Sequence, residues 1–218
     1  MKKLKLEAFF LILLAMGIFA VLFYERKEEK ERVYKKYTAT FLDVFDTKTE
    51  IIGYAESEEV FMRQAELLKE KLFYYHRLYD IYNSYEGLNN LKTINENAGI
   101  AEVKVEREII DLLKLSKEMY KQTNGKVNAA MGSVLSIWHD YREHGVSDPE
   151  NACLPEMGEL KQASEYTDID HVIIDEDAST VYLEHQEMSL DVGGIGKGYA
   201  VQKVAEYARE LGMENYQC

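Results

Sequence analysis

The stretch SLDVGGIGKGYAVQKVAEYARELG, Ser189–Gly212, decides how the rest of this chain is read. Four glycines fall within the six positions Gly193–Gly198, with Lys197 among them, a composition that lets an anionic group come close to backbone. The pattern predicts a strand over Met188–Val192, a flexible turn, and a helix from Gly198 to Leu211. Val201, Val204, Ala208 and Leu211 form its apolar face, and Gly212 closes it. Backbone donors at that helix start would face an anion, and Lys197 would add a point charge. The same glycines would equally serve a tight strand-to-helix turn made for packing alone, so the residues by themselves leave both readings open.

Two familiar phosphate cradles do not fit. A Walker A loop needs Gly where Asp191 stands and Ser or Thr where Gly198 stands. The dinucleotide fingerprint accepts Gly194 and Gly196 but meets Tyr199 at its third glycine, and no later strand supplies the acid that would hold a ribose.

Working outward, the 218 residues, 46% apolar and 30% charged, describe a folded protein with room for one medium domain or two small ones. A formal charge of −13 and the lack of a basic block beyond the first forty residues argue against nucleic acid as a partner. With two cysteines, Cys153 and the final Cys218, a disulfide framework is not expected. Lys2, Lys3 and Lys5 precede Ala8–Tyr24, seventeen residues without a charge. We read 1–24 as an uncleaved membrane anchor, with a cleaved signal or a buried core helix as the alternatives. The downstream cations Arg26, Lys27, Lys30, Arg32, Lys35 and Lys36 outnumber those before the stretch, and that count alone argues against export. Residues 25–36 read as a charged spacer and 37–218 as the folded domain.

Within that domain, short strands are expected at Phe41–Phe45 and Thr49–Ala55. A helix follows, with Phe61, Ala65, Leu68, Leu72, Tyr75 and Tyr79 at helical spacing. A polar loop, Asn83–Gly99, leads to a second helix from Glu106 to Gln122, stopped by Asn124-Gly125. A helical or irregular stretch holds Trp138. Ile169–Gly194 then reads as three strands joined by tight polar turns, which forces antiparallel pairing. The expected class is α+β, antiparallel strands with packed helices. Of the five histidines, His139 and His144 lack an HExxH context and His76 sits in the first helix, so all read as structural or exposed rather than as a rival site.

The glycine stretch closely resembles the signature of the ApbE-type flavin transferases, the FAD:protein FMN transferases. Three further motifs follow the family's order and spacing: VFDTKTEIIGYA from Val44, YDIYNSYEGLNNLKTINENAG from Tyr79, and TNGKVNAAMGSVLSIWHDYR from Thr123. The resemblance covers Tyr37 to about Asn215. It implies an ApbE-like fold and a reaction in which a threonine hydroxyl of a partner protein attacks FAD, releasing AMP and keeping FMN in a phosphoester, with Mg²⁺ as helper. Carried over by motif, Asp191 and Lys197 would contact the dinucleotide and serve the transfer, and the carbonyl of Gly194 would help hold Mg²⁺. Phe45, Tyr82, Lys126, Val127 and Asn128 would line the FAD site. Asn128 departs from the Asp common there, keeping a hydrogen-bonding amide without the charge. Read without the family, Phe45 and Tyr82 are ordinary core aromatics and Lys126 a turn residue.

Family members continue past Tyr216 with a second half that completes the core and supplies an Asp and a Thr as metal ligands. The resemblance therefore implies a chain lacking its carboxyl half, with an incomplete metal site and transfer activity in doubt. It also implies an acceptor among subunits of membrane electron-transfer complexes or extracellular flavoproteins, and a domain held on the outer side of the membrane. A membrane-anchored FAD-binding or scaffold protein without transferase activity is the reading from another class.

Overall fold

The computed structural model describes residues 33–213 and 216–217. The proposed anchor, Ala8–Tyr24, and most of the charged spacer lie outside them. Among the described residues no helix is long and apolar enough to cross a membrane.

The chain opens with a hairpin of β1 (Lys35–Val44) and β2 (Thr47–Ala55). Phe45 and Asp46 make its turn with φ of 54° and 51°, the left-handed pair that matches the twist of a two-residue hairpin. Register is set by Tyr37 opposite Gly53 and Ala39 opposite Ile51, with an irregularity between Phe41 and Val44. A short strand β6 (Tyr216–Gln217) adds to the other side of β2. Strand β1 starts inside the stretch read as a spacer. Lys35 and Lys36 pair with Ala55 and Tyr54, and an edge strand carries lysines readily because its outer side faces water.

Helix α1 (Glu58–Tyr79) lies under this sheet. Ser57 caps it by accepting the Val60 amide, Glu58 and Glu59 stand in its first turn, and His76 and Arg77 in its last. Phe61, Ala65, Leu68, Leu72, Tyr75 and Tyr79, the periodic residues, are all buried, joined by Leu78. Each large side chain so removed from water contributes about 1.5–3 kcal/mol before chain entropy is set against it.

The expected polar loop contains a helix, α2 (Leu91–Glu96), nucleated by a reciprocal capping box between Asn90 and Thr93. Asn90 is fully buried, and its amide donates to the carbonyls of Arg77 and Asn83. Strand β3 (Val103–Lys104) and helix α3 (Arg107–Gln122) follow. Asn124 and Gly125, at φ 52° and 79°, end α3 as the sequence implies, with the Gly125 amide returning to the Tyr120 carbonyl. Next come α4 (Gly132–Ser147), a 3-10 turn at Pro149–Asn151, α5 (Met157–Ser164), and the hairpin β4 (Val172–Asp175) and β5 (Thr180–Leu183). The second sheet has the order β3-β5-β4, antiparallel throughout. Helix α6 (Gly196–Glu210) packs back on α1, and one apolar cluster joins both sheets with α1, α3 and α6.

Two expectations for the glycine stretch need correction. Met188–Val192 joins no ladder, so Ile169–Gly194 holds two strands instead of three. Its backbone is satisfied elsewhere: the Ser189 carbonyl accepts the Gly132 amide, the Asp191 amide donates to the Ala129 carbonyl, and Leu190 pairs with the Asn95 side chain. The helix begins at Gly196, two residues earlier than expected, because the Ile195 and Gly196 amides already turn onto the Val192 carbonyl.

Candidate active site

A cleft of about 750 Å³ opens where the β1–β2 turn, the carboxyl end of α1 and the start of α6 meet. Phe45, Tyr82, Asp191, Gly193, Gly196 and Lys197 are on its wall. Four of these are residues picked out from the sequence: Phe45, Tyr82, Asp191 and Lys197.

The glycine turn is built from Asp191 upward. Its Oδ1 accepts the Gly193 amide at 2.7 Å, which folds the chain back on itself directly after the pinned segment. Residue Ile195 at the helix start supplies no side-chain cap, and the amides of Lys197 and Gly198 have no acceptor among the described residues. An uncapped first turn with a lysine on it is an anion-binding geometry. The glycines divide by purpose. A Cβ at Gly196 would come within 3.1 Å of the Val192 methyl, a tight contact that Val192 would have to yield to, so this glycine serves packing. A Cβ at Gly194 or Gly198 would meet open space, and neither has a positive φ. Packing does not explain these two, and their bare backbone leaves room for an outside group to come close.

Polar residues that the sequence reading passed over complete the wall. His76 accepts the Phe45 amide on Nδ1 at 3.2 Å, and the two rings meet edge to face. The buried Asp80 carboxylate accepts from the Tyr82 amide at 2.7 Å, the Asn83 amide at 3.1 Å, the Asn83 side chain at 3.0 Å and the Tyr85 hydroxyl at 2.7 Å. Burial alone would raise its pKa, yet these hydrogen bonds outweigh it and hold the carboxyl below its ordinary value. This fixes the loop that presents Tyr82, whose ring lies 5.1 Å from that of His139. Tyr82 is about half exposed, and partial desolvation, then the charge of Asp191, push its phenol up. His139 and Arg142 also face the cleft, with an Arg142 guanidinium nitrogen 3.0 Å from His139 Nδ1. His76 and His139, read from the sequence as structural or exposed, both border the cleft, and His76 has a structural part there as acceptor of the Phe45 amide. Their only signal was position, one near the end of α1 and one within the Trp138 motif, and neither spacing marks a site.

Other predicted residues stand apart. Lys126 is exposed, the Val127 amide donates to Thr123 Oγ1, and Asn128 is occupied by the Thr167 carbonyl and the Ala130 amide. None of the three is on the wall of this cleft. Gly194 is exposed on the turn beside it. Among the described residues no group of three or more His, Cys, Asp or Glu side chains gathers as metal ligands, so the donors near Gly194 do not by themselves fit a divalent cation. Cys153 is a free, exposed thiol.

Known proteins resemble this chain in sequence and in fold. The sequence profile of the ApbE family matches residues 45–217. An FAD:protein FMN transferase from Klebsiella pneumoniae (strain 342) is 27% identical over 146 residues, 63% of this chain and 44% of that protein. Another, from Treponema pallidum (strain Nichols), is 28% identical over 121 residues, 53% of this chain and 32% of that protein. The chain thus spans less than half the length of these relatives. Among solved structures, the ApbE protein of Thermotoga maritima superposes with a TM-score of 0.66 at 21% identity, covering 84% of this chain and 56% of that one. The flavin transferase ApbE from Vibrio cholerae gives a TM-score of 0.68 at 17% identity, covering 84% and 56%. These structures share the α+β fold described above.

Proposed function

The chain belongs to the ApbE family, and from that premise we propose that it carries the FAD-binding part of an FAD:protein FMN transferase. One observation supports the reading most: the uncapped start of α6, with Lys197 on it and with Gly194 and Gly198 open to an outside group, borders the cleft that holds Asp191 and Tyr82. A pyrophosphate is the group such a turn suits.

In the proposed reaction the hydroxyl oxygen of an acceptor threonine bonds to the phosphorus on the FMN side of FAD. The bond from that phosphorus to the bridging oxygen breaks, AMP leaves with the bridging oxygen, and the hydroxyl proton passes to solvent. The amides of Lys197 and Gly198 and the Lys197 ammonium would take up negative charge growing on the phosphoryl oxygens. Phe45 and Tyr82 would flank the flavin nucleotide. Asn128 would act from behind the wall, since it ties down the segment whose Ala129 carbonyl holds the Asp191 amide. Dependence on Mg²⁺, with the Gly194 carbonyl as one ligand, belongs to the same proposal, and no step above is routed through it.

The test is direct. The protein is incubated with FAD, Mg²⁺ and a threonine-bearing acceptor, and bound flavin and AMP are measured. Covalent flavin matched by AMP supports the transferase; tight FAD binding without AMP supports an FAD-binding or scaffold protein instead. We further propose that Ala8–Tyr24 anchors the domain on the extracytoplasmic side, near an acceptor in a membrane electron-transfer complex or an extracellular flavoprotein. Protease added to intact cells should remove the domain, and full protection with the outer surface accessible would sink the location.

A further inference from the structure

A second groove, of about 510 Å³, runs beside the main cleft along α4 and the segment after the 3-10 turn. Its outer wall is Leu135, Trp138, Tyr141, Leu154 and Pro155. Leu135, Trp138 and Leu154 are 40%, 43% and 77% exposed, a concentration of apolar side chains on a protein whose net charge is −13. Its inner wall is shared, because Tyr82, His139, Arg142 and Asp191 border both this groove and the cleft assigned to FAD.

Resting on the transferase reading, we propose that this groove receives the acceptor polypeptide, as an apolar segment beside the threonine that is modified. Charge separates the two substrates. Lys197 and the amides of α6 lie on the cleft and not on the groove. The one cation on the groove, Arg142, already meets His139 at 3.0 Å and Glu143 at 3.4 Å. A dianionic dinucleotide has little to gain along the outer wall, whereas an apolar peptide gains there by burying Trp138 and Leu154. Direction agrees with chemistry. A nucleophile must reach phosphorus from a side that FAD leaves open, and Asp191, at the root of the glycine turn, is where the groove meets the cleft. Apolar anchoring on the outer wall thus delivers the hydroxyl toward the phosphate end, while Phe45 and Lys197, which line the cleft and not the groove, stay free for FAD.

Trp138 is the only tryptophan of the chain, so its emission reports on the groove without any turnover. The probe is a synthetic peptide with a single threonine flanked by leucine and alanine, titrated with and without FAD, while FAD affinity is followed separately through flavin fluorescence. The peptide should shift Trp138 emission to the blue and saturate. Leu154→Asp should weaken that binding about tenfold or more, the equivalent of losing one apolar anchor, with FAD affinity unchanged. Leu135→Asp, on the opposite lip, should do the same, so the result does not hang on one variant. The proposal is overturned if the peptide leaves Trp138 unmoved in both titrations, or if either variant weakens FAD as much as peptide, which would make the groove a flavin pocket. Peptide binding with no FAD binding at all would instead remove the transferase reading and leave the groove standing.

Discussion

The side chain of Asn95 holds Leu190 by both of its backbone polar groups, Nδ2 donating to the carbonyl at 3.0 Å and Oδ1 accepting the amide at 2.7 Å. A side chain thus stands in for a neighbouring strand, one residue before Asp191. Leu190 is buried, so Asn95→Ala leaves two backbone groups without partners, at a cost of about 2–4 kcal/mol. Urea unfolding should show that loss, and hydrogen exchange should quicken at Leu190 and Gly193 before it does in α3. Unchanged exchange at Gly193 would mean that the turn is held by Asp191 alone.

Gly132 bears on the same segment from the other side. Its amide donates to the Ser189 carbonyl at 3.0 Å, and an added Cβ would overlap that carbonyl. Gly132→Ala should therefore push Ser189 away and cost about 1–3 kcal/mol, as overpacking does, while Gly158→Ala, where nothing lies within 4 Å, should be far milder. Thermal unfolding of the two variants side by side decides it; equal losses would show that the segment yields freely.

Asp80 predicts a pH dependence. Its folded pKa lies below its ordinary value of 3.8, because the four hydrogen bonds it accepts outweigh its burial. A carboxyl with a depressed folded pKa adds stability that is fully present above the unfolded value and is lost as pH falls through the folded one. Wild type should accordingly exceed Asp80→Asn in stability at neutral pH, and the gap should close as pH drops below 3.8. Denaturant midpoints across that range provide the check, and parallel curves would rule out the carboxylate as the cause.

Lys197→Ala, in the context of the transfer assay, should lower the rate of FMN transfer more than it lowers FAD affinity. The ammonium matters most as charge grows on the phosphoryl oxygens and on departing AMP. Comparing transfer rate with the FAD dissociation constant separates the two effects. Equal losses would assign Lys197 to ground-state binding only.

What the sequence determined by itself was local. Helical spacing from Phe61 to Tyr79 named the buried face of α1, Asn124-Gly125 named the end of α3, and the ordered motifs named the family. Each of these rests on residues a few positions apart, where periodicity and backbone preference act directly. Tertiary structure decided the rest. Met188–Val192 has the alternation of a strand but pairs with no ladder, because Asn95, Ala129 and Gly132 take up its polar groups from distant parts of the chain. His76, Asp80, His139 and Arg142 carry no motif among themselves, yet the folded chain brings them to one cleft. Lys126, Val127 and Asn128 matched the family by position but fall outside that cleft wall, since Asn128 spends its amide on Thr167 and Ala130. Pattern along a chain reports which face of each element is apolar; which faces meet is set by long-range packing and by where each buried hydrogen-bonding group finds a partner.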